Sequence, residues 1–130
     1  MDEIINLLYK RIPYYKTLGF KLMEIENGKA TFKILLREEL TQNGMVHGGV
    51  LASLIDSTCA CAAFSLIYPQ GYVTTIDLQV QYLKPVSKGC LTAIGKCIKG
   101  GRRIYFCKSK IWSEEGELIC TGSSQVLRID

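Results

Sequence analysis

The chain predicts an α+β fold, one antiparallel β-sheet curled around a single long helix, on three observations. First, "VLASLIDSTCACAAFSLI", residues 50–67, is apolar on nearly every side. It approaches the roughly 20 residues of a membrane span, but it carries Asp56, Ser53, Ser57, Thr58 and Ser65 and is rich in small residues, so a helix buried in a protein core explains it better. Second, the residues before it contain two extended runs around Asn27-Gly28, a strong hairpin signal. Third, the residues after it read as extended almost to the end of the chain. A helix that is apolar nearly all round needs cover on nearly every side. One curled sheet supplies most of that cover and a second copy of the chain the rest, so an oligomer is expected. The 130 residues fit a single domain spanning 1–130.

Taken in order, residues 2–11 form a short amphipathic helix with Ile4, Ile5, Leu7 and Leu8 on its apolar side and Pro13 as its stop. "FKLMEIENGKATFKILL" (20–36) is the hairpin, and "REELTQNGMVHGG" (37–49) is a polar loop leading into the long helix. "PQG" (69–71) breaks the chain after it. "VTTIDLQVQYLKP" then alternates, with Ile76, Leu78, Val80 and Tyr82 on one face and Asp77, Gln79 and Gln81 on the other. Residues 89–129 give three further strands, with turns at Gly100-Gly101 and at "SEEGE" (113–117). No linker, repeat or low-complexity segment interrupts this order.

Composition narrows the function. Hydrophobic residues make up 48% and charged residues 22%, an ordinary globular balance. The net charge of +4 is too small and too scattered for a nucleic-acid partner, though it suits an anionic small molecule as well as it suits a plain solvated surface. The six cysteines contain no CxxC pair and meet only one histidine, so neither zinc nor any other metal is expected. They read as small buried hydrophobes in a reducing, cytoplasmic protein, and the charged, amphipathic N-terminus does not read as a secretory signal.

The chemistry concentrates in "HGGVLASLID", which joins the only histidine, His47, to Asp56. A helix start exposes unpaired backbone N–H groups and the positive end of the helix dipole. Gly48 and Gly49 let a substrate approach that backbone, although a tight loop-to-helix turn needs glycines equally. Such a start suits a carbonyl oxygen that gains charge during attack. Asp56 is the sharper clue. A carboxylate in apolar surroundings costs several kcal/mol unless it is paired or solvated. It is either bonded to a hydroxyl, with Ser53 and Thr75 as candidates, or it lines a reaction cavity as base or nucleophile. Nine residues at ~100° each turn about 900° and rise ~13.5 Å, so His47 and Asp56 point to opposite sides of one helix. They can meet only between two copies of the chain.

The segment "VHGGVLASLIDSTCACAA" resembles the signature of the phenylacetate-degradation (PaaI-type) acyl-CoA thioesterases, which have the hotdog fold. "TTIDLQVQYLKPVSKG" is similar to that family's strand after the helix, and "KGGRRIYFCKSKIWSEEGELICTGSSQVL" to its last hairpin. The resemblance runs from Gly19 onward. It implies hydrolysis of an acyl-CoA thioester without a cofactor, in a homodimer or a tetramer built as a dimer of dimers, with sites at the dimer interface. It implies Asp56 as base or nucleophile, Gly48 as the carbonyl's N–H donor, and Thr75 as a hydroxyl orienting the carboxylate or the water. His47 would steady the leaving thiolate or serve as a structural hydrogen-bond donor. The family's asparagine five or six residues before the histidine has no counterpart at that spacing. Asn43 and Gln42, four and five residues before it, are the two amides that could replace it. The CoA contacts implied are Gly49, Tyr82 and the basic turn of Lys99, Gly100, Gly101, Arg102 and Arg103, where fixed cations and backbone N–H groups suit phosphate. Leu54, Ala60 and Phe64 are the central-helix side chains on which acyl-pocket depth depends. A hotdog dehydratase or hydratase and a non-catalytic acyl-CoA binding module are the alternatives.

Overall fold

The computed structural model describes all residues 1–130. Helix α1 (Asp2–Arg11) buries Ile4 and Leu8. Pro13 does stop it, and it also opens a second helix, α2 (Pro13–Leu18), where proline at the first position loses no hydrogen bond. Strands β1 (Lys21–Glu26) and β2 (Lys29–Leu35) form the expected hairpin, and Asn27 and Gly28 both take the positive φ that its two-residue turn requires. The loop expected over 37–49 has more structure than its polarity indicates. A 3₁₀ turn (Glu38–Leu40) leads into β3 (Thr41–Gln42) and β4 (Met45–Val46), paired around Asn43-Gly44. Two-residue strands are too short to show alternation, so only the Asn-Gly pair could have announced them.

Helix α3 (Gly48–Phe64) is the predicted buried helix. Four strands follow: β5 (Tyr72–Tyr82), β6 (Cys90–Gly100), β7 (Ile104–Trp112) and β8 (Leu118–Ile129). Six strands make one antiparallel sheet in the order β1-β2-β6-β7-β8-β5. It wraps α3, which packs against β2, β5, β6, β7 and β8. Phe32, Leu54, Ile55, Leu91, Ile111 and Val126 are fully enclosed between helix and sheet. Two glycines bring the layers together. A Cβ on Gly95 would lie 2.7 Å from the Thr58 carbonyl carbon, and one on Gly122 would lie 2.5 Å from the Ile55 side chain. Only a residue without a side chain lets strand and helix approach this closely.

One face assignment on β5 is corrected. The pairing with β8 skips a residue between Thr75 and Asp77, so Ile76 bulges out of register. Val73, Thr75, Leu78, Val80 and Tyr82 turn toward the helix, Tyr82 as the solvent-exposed end of that row, whereas Ile76 is 49% exposed on the other side. Simple alternation cannot foresee an inserted residue. All six cysteines are free, with Cys59, Cys61, Cys107 and Cys120 buried and Cys90 and Cys97 half-buried. No helix is long and apolar enough to cross a membrane.

Candidate active site

Most of α3 is enclosed, and its half-exposed positions, Gly48, Ala52, Ser53, Asp56 and Ala60, form a single stripe with the exposed Gly49. Their spacings of three and four residues place them one above another on one face. Asp56 sits at the centre of this stripe. Its Oδ1 accepts a hydrogen bond of 2.6 Å from the Thr75 hydroxyl. Ser53, the other hydroxyl considered for it, is taken instead by the Tyr14 hydroxyl at 2.7 Å. The β5 bulge accounts for this selection. It turns Thr75 inward to Asp56, while the next acid, Asp77, accepts from the Gln125 backbone N–H (3.1 Å) and side-chain amide (2.8 Å). Asp56 leaves its mark on its neighbours. Burial, and after it the negative charge of Asp56, pushes the Cys59 thiol up to about 12.

The start of α3 is built differently from a bare helix end. His47 is the N-cap, and its Nδ1 accepts from the Gly49 N–H at 2.8 Å. The imidazole proton therefore sits on Nε2, on an exposed ring. The first helical N–H, that of Gly48, has no acceptor within the chain. The Gly48 carbonyl accepts from the Tyr82 hydroxyl at 2.8 Å, which ties the end of β5 to the helix start. The missing side chains of both glycines make room for rings of the chain itself. A Cβ on Gly48 would stand 3.2 Å from the Tyr82 ring, and one on Gly49 would stand 2.9 Å from His47 Nδ1. Beside Gly48 lies an open cleft of about 340 Å³, lined by Met45, Leu51, Tyr82, Leu83 and Lys84 among others.

The remaining predicted residues fall in two places. Asn43 and Gln42 are exposed on the β3–β4 hairpin, and neither side chain bonds within the chain; Asn43 (φ 55°) and Gly44 (φ 81°) form its turn. The basic turn of Lys99, Gly100, Gly101, Arg102 and Arg103 is exposed at the β6–β7 end. Gly100 pairs with Tyr105, Tyr105 with Val126, and Val126 with Thr75. The turn is thus level with Thr75 and Asp56, three strand spacings or ~14 Å across the sheet. It belongs to Asp56's half of the chain and not to Gly48's. Leu54, placed among the acyl-pocket residues by its position on α3, is fully buried in the core; Ala60 and Phe64 do border a cavity. Tyr14 at the stripe is unforeseen, because nothing in the sequence announces that α2 folds back onto α3.

A curled antiparallel sheet around one long helix, with a glycine-rich helix start and a mid-helix acid, defines the hotdog class. The comparison with known proteins agrees. The chain belongs to the thioesterase superfamily, whose profile matches residues 43–120. A protein of Saccharolobus solfataricus named only as a candidate esterase, SSO2140, is 32% identical, the match covering 98% of this chain and 93% of that one. The 1,4-dihydroxy-2-naphthoyl-CoA hydrolase of Listeria monocytogenes is 27% identical over 81% of this chain and 86% of its own. In fold, the chain superimposes on the Escherichia coli PaaI protein of the phenylacetic acid degradation operon with a TM-score of 0.89 at 20% identity, covering 96% of this chain and 90% of that one.

Proposed function

We propose that the protein hydrolyses acyl-CoA thioesters at sites shared between two copies of the chain. The observation that carries this reading is Asp56, half-exposed and held by Thr75 on the one open stripe of α3, while the free Gly48 N–H stands at the helix start, eight residues before it. The helix rises ~12 Å over those eight residues, so the two groups can flank one thioester only if they come from different chains.

The assembly has a physical motive. Strand β5 is the longer of the sheet's two edges, eleven residues against six in β1, with Tyr72, Ile76 and Tyr82 exposed along it. An edge of this length invites pairing with a second strand. Pairing two β5 strands antiparallel sets the α3 stripes face to face and brings one chain's helix start toward the other's Asp56. Ile98, Ile104 and Phe106, exposed on the outer side of the sheet, offer the second interface a dimer of dimers needs. Six unpaired thiols fit a reducing, cytoplasmic setting.

In this arrangement the thioester carbonyl oxygen lies on the Gly48 N–H of one chain, with the positive end of the α3 dipole behind it. The partner chain's carboxylate, fixed through Oδ1 by Thr75, takes a proton from water through Oδ2 as the water oxygen bonds to the carbonyl carbon. The oxyanion collapses, the carbon–sulfur bond breaks, and the carboxyl proton passes to the CoA sulfur, leaving acid and thiol. His47 serves by capping α3, and its Nε2–H faces outward as a further donor. The Lys99–Arg103 turn across the interface supplies cations for the CoA phosphates, whereas Lys84 by the Gly48 cleft is paired with Glu117.

The deciding experiment is a panel of acyl-CoA esters with free-thiol release as readout, run beside an assay for hydration of the matching enoyl-CoA. Thiol release supports the hydrolase. Hydration without thiol release would make the protein a lyase, and acyl-CoA binding with neither reaction would make it a binding module.

A further inference from the structure

A cavity of about 270 Å³ lies between the N-terminal helices and the central helix, separate from the cleft at Gly48. Leu8, Ile12 and Tyr15 wall it on one side, Ala60 and Phe64 on a second, and Val73 on a third. Arg11 is the only charged residue on its lining. Arg11 is exposed and its guanidinium already donates to the Gly71 carbonyl at 3.2 Å, so it marks the lip and not the depth.

Two of these walls run on from the elements that hold Asp56. Ala60 is one turn beyond Asp56 on the same stripe of α3, a rise of ~6 Å. Val73 is two residues from Thr75 on the same face of β5, ~6.6 Å away. The cavity therefore begins one step from the proposed catalytic carboxylate, along both the helix and the strand. The third wall comes from α1 and α2, which lie outside the residues 43–120 that match the thioesterase profile. That part of the cavity is supplied by this chain's own N-terminal segment.

Resting on the hydrolase reading above, we infer that this cavity receives the acyl group and that its size selects uncharged, apolar acyl chains of about six to eight carbons. A dry apolar cavity of about 150 Å³ accepts benzene, so nearly twice that volume holds a medium-length chain or a ring on a short linker. The thioester carbon then lies between the partner chain's Gly48 and this chain's Asp56, the acyl tail turns toward α1, and CoA leaves through the partner's cleft. Ala60 is the residue that controls access, because it is the lining residue one turn from Asp56 on the α3 stripe. Tyr72, exposed and also on the lining, bounds the far side.

The test is kcat/KM for straight-chain acyl-CoAs from acetyl to tetradecanoyl, in the wild-type protein, Ala60→Phe and Tyr72→Ala, with circular dichroism to check each fold. In wild type each methylene from butyryl to octanoyl should raise kcat/KM ~4-fold, the gain of one buried CH₂, and the rise should stop by dodecanoyl. Ala60→Phe should lower the octanoyl-to-butyryl ratio ~30-fold, and Tyr72→Ala should move the maximum at least two carbons longer. Tyr72 lies outside the enclosed core, so its variant tests the cavity even if Ala60→Phe prevents folding, and because it starts the β5 edge its assembly is compared with wild type by sedimentation. Hydrolysis with a chain-length profile that neither folded variant changes would overturn the cavity assignment and leave the hydrolase standing. A wild-type protein that cleaves no acyl-CoA would overturn both.

Discussion

Asp56 discloses a good deal through its sequence neighbours alone. Its position in an apolar run, nine residues after a histidine and just beyond two glycines, marks it as either paired or functional, and Thr75 is one of the two hydroxyls the sequence offers it. The choice between them is not legible there, because it depends on a bulge that turns Thr75 inward and on Tyr14 occupying Ser53. Asp56→Asn keeps the shape and still accepts from Thr75, but removes the charge. Thiol release should fall ~100-fold or more with the fold unchanged, as expected for loss of a general base. A folded Asp56→Asn protein with wild-type hydrolysis would end the proposed mechanism. The thiols give a second, independent check. Burial raises Cys59 and Cys61 to about 12 and Cys120 to about 11, and burial lifts Cys107 as well. The reactive species is the thiolate and burial lifts Cys97 too, so iodoacetamide at pH 8 should label the native protein first at Cys90 and more slowly at Cys97, with the other four spared within the time that labels all six in urea. Mass spectrometry of the digested protein reads this directly, and rapid labelling of Cys61 would show that the core around Tyr15 opens.

At the scale of elements, the hairpin at Asn27-Gly28, the enclosed helix and the last three strands are legible in the sequence because each announces itself by a local pattern. Helix α2, the β3–β4 hairpin and the outward turn of Ile76 are not. A six-residue helix and two-residue strands are too short for their periods to show, and a bulge breaks the alternation that marks a strand. The contact between α3 and the sheet likewise leaves only faint traces: Gly95 and Gly122 read as ordinary strand glycines until the helix is seen against them. Gly95→Ala would drive a methyl group into the Thr58 backbone, which cannot swing aside as a side chain can. It should destabilise the fold by about 1–3 kcal/mol, seen as a lower urea midpoint with an unchanged slope. A midpoint within error of wild type would mean that α3 sits farther from β6.

At the scale of the whole molecule, the proposed site requires a second chain, since a helix cannot bring its own residues 47 and 56 together. Complementation tests this. Gly48→Pro deletes the N–H proposed to meet the carbonyl, while the first position of a helix accommodates proline, and His47 already has the extended backbone that precedes it. The Tyr82 ring must yield by a few tenths of an ångström. Gly48→Pro and Asp56→Asn should each be inactive alone. After co-refolding, half of randomly paired dimers are mixed and each carries one intact site, so about a quarter of wild-type activity should return. Activity that stays at the parental level, with subunit exchange proven by mass spectrometry, would exclude the two-chain site. The N-terminal helix has the sequence of an amphipathic cover for the core and packs as one, but together with α2 it also walls the cavity beside Ala60. On the proposed reading, the segment that cuts and the segment that measures are separate stretches of chain. Evolution, or an engineer, could exchange the first eighteen residues among relatives and retune which acids are released, while leaving the cleavage machinery in place.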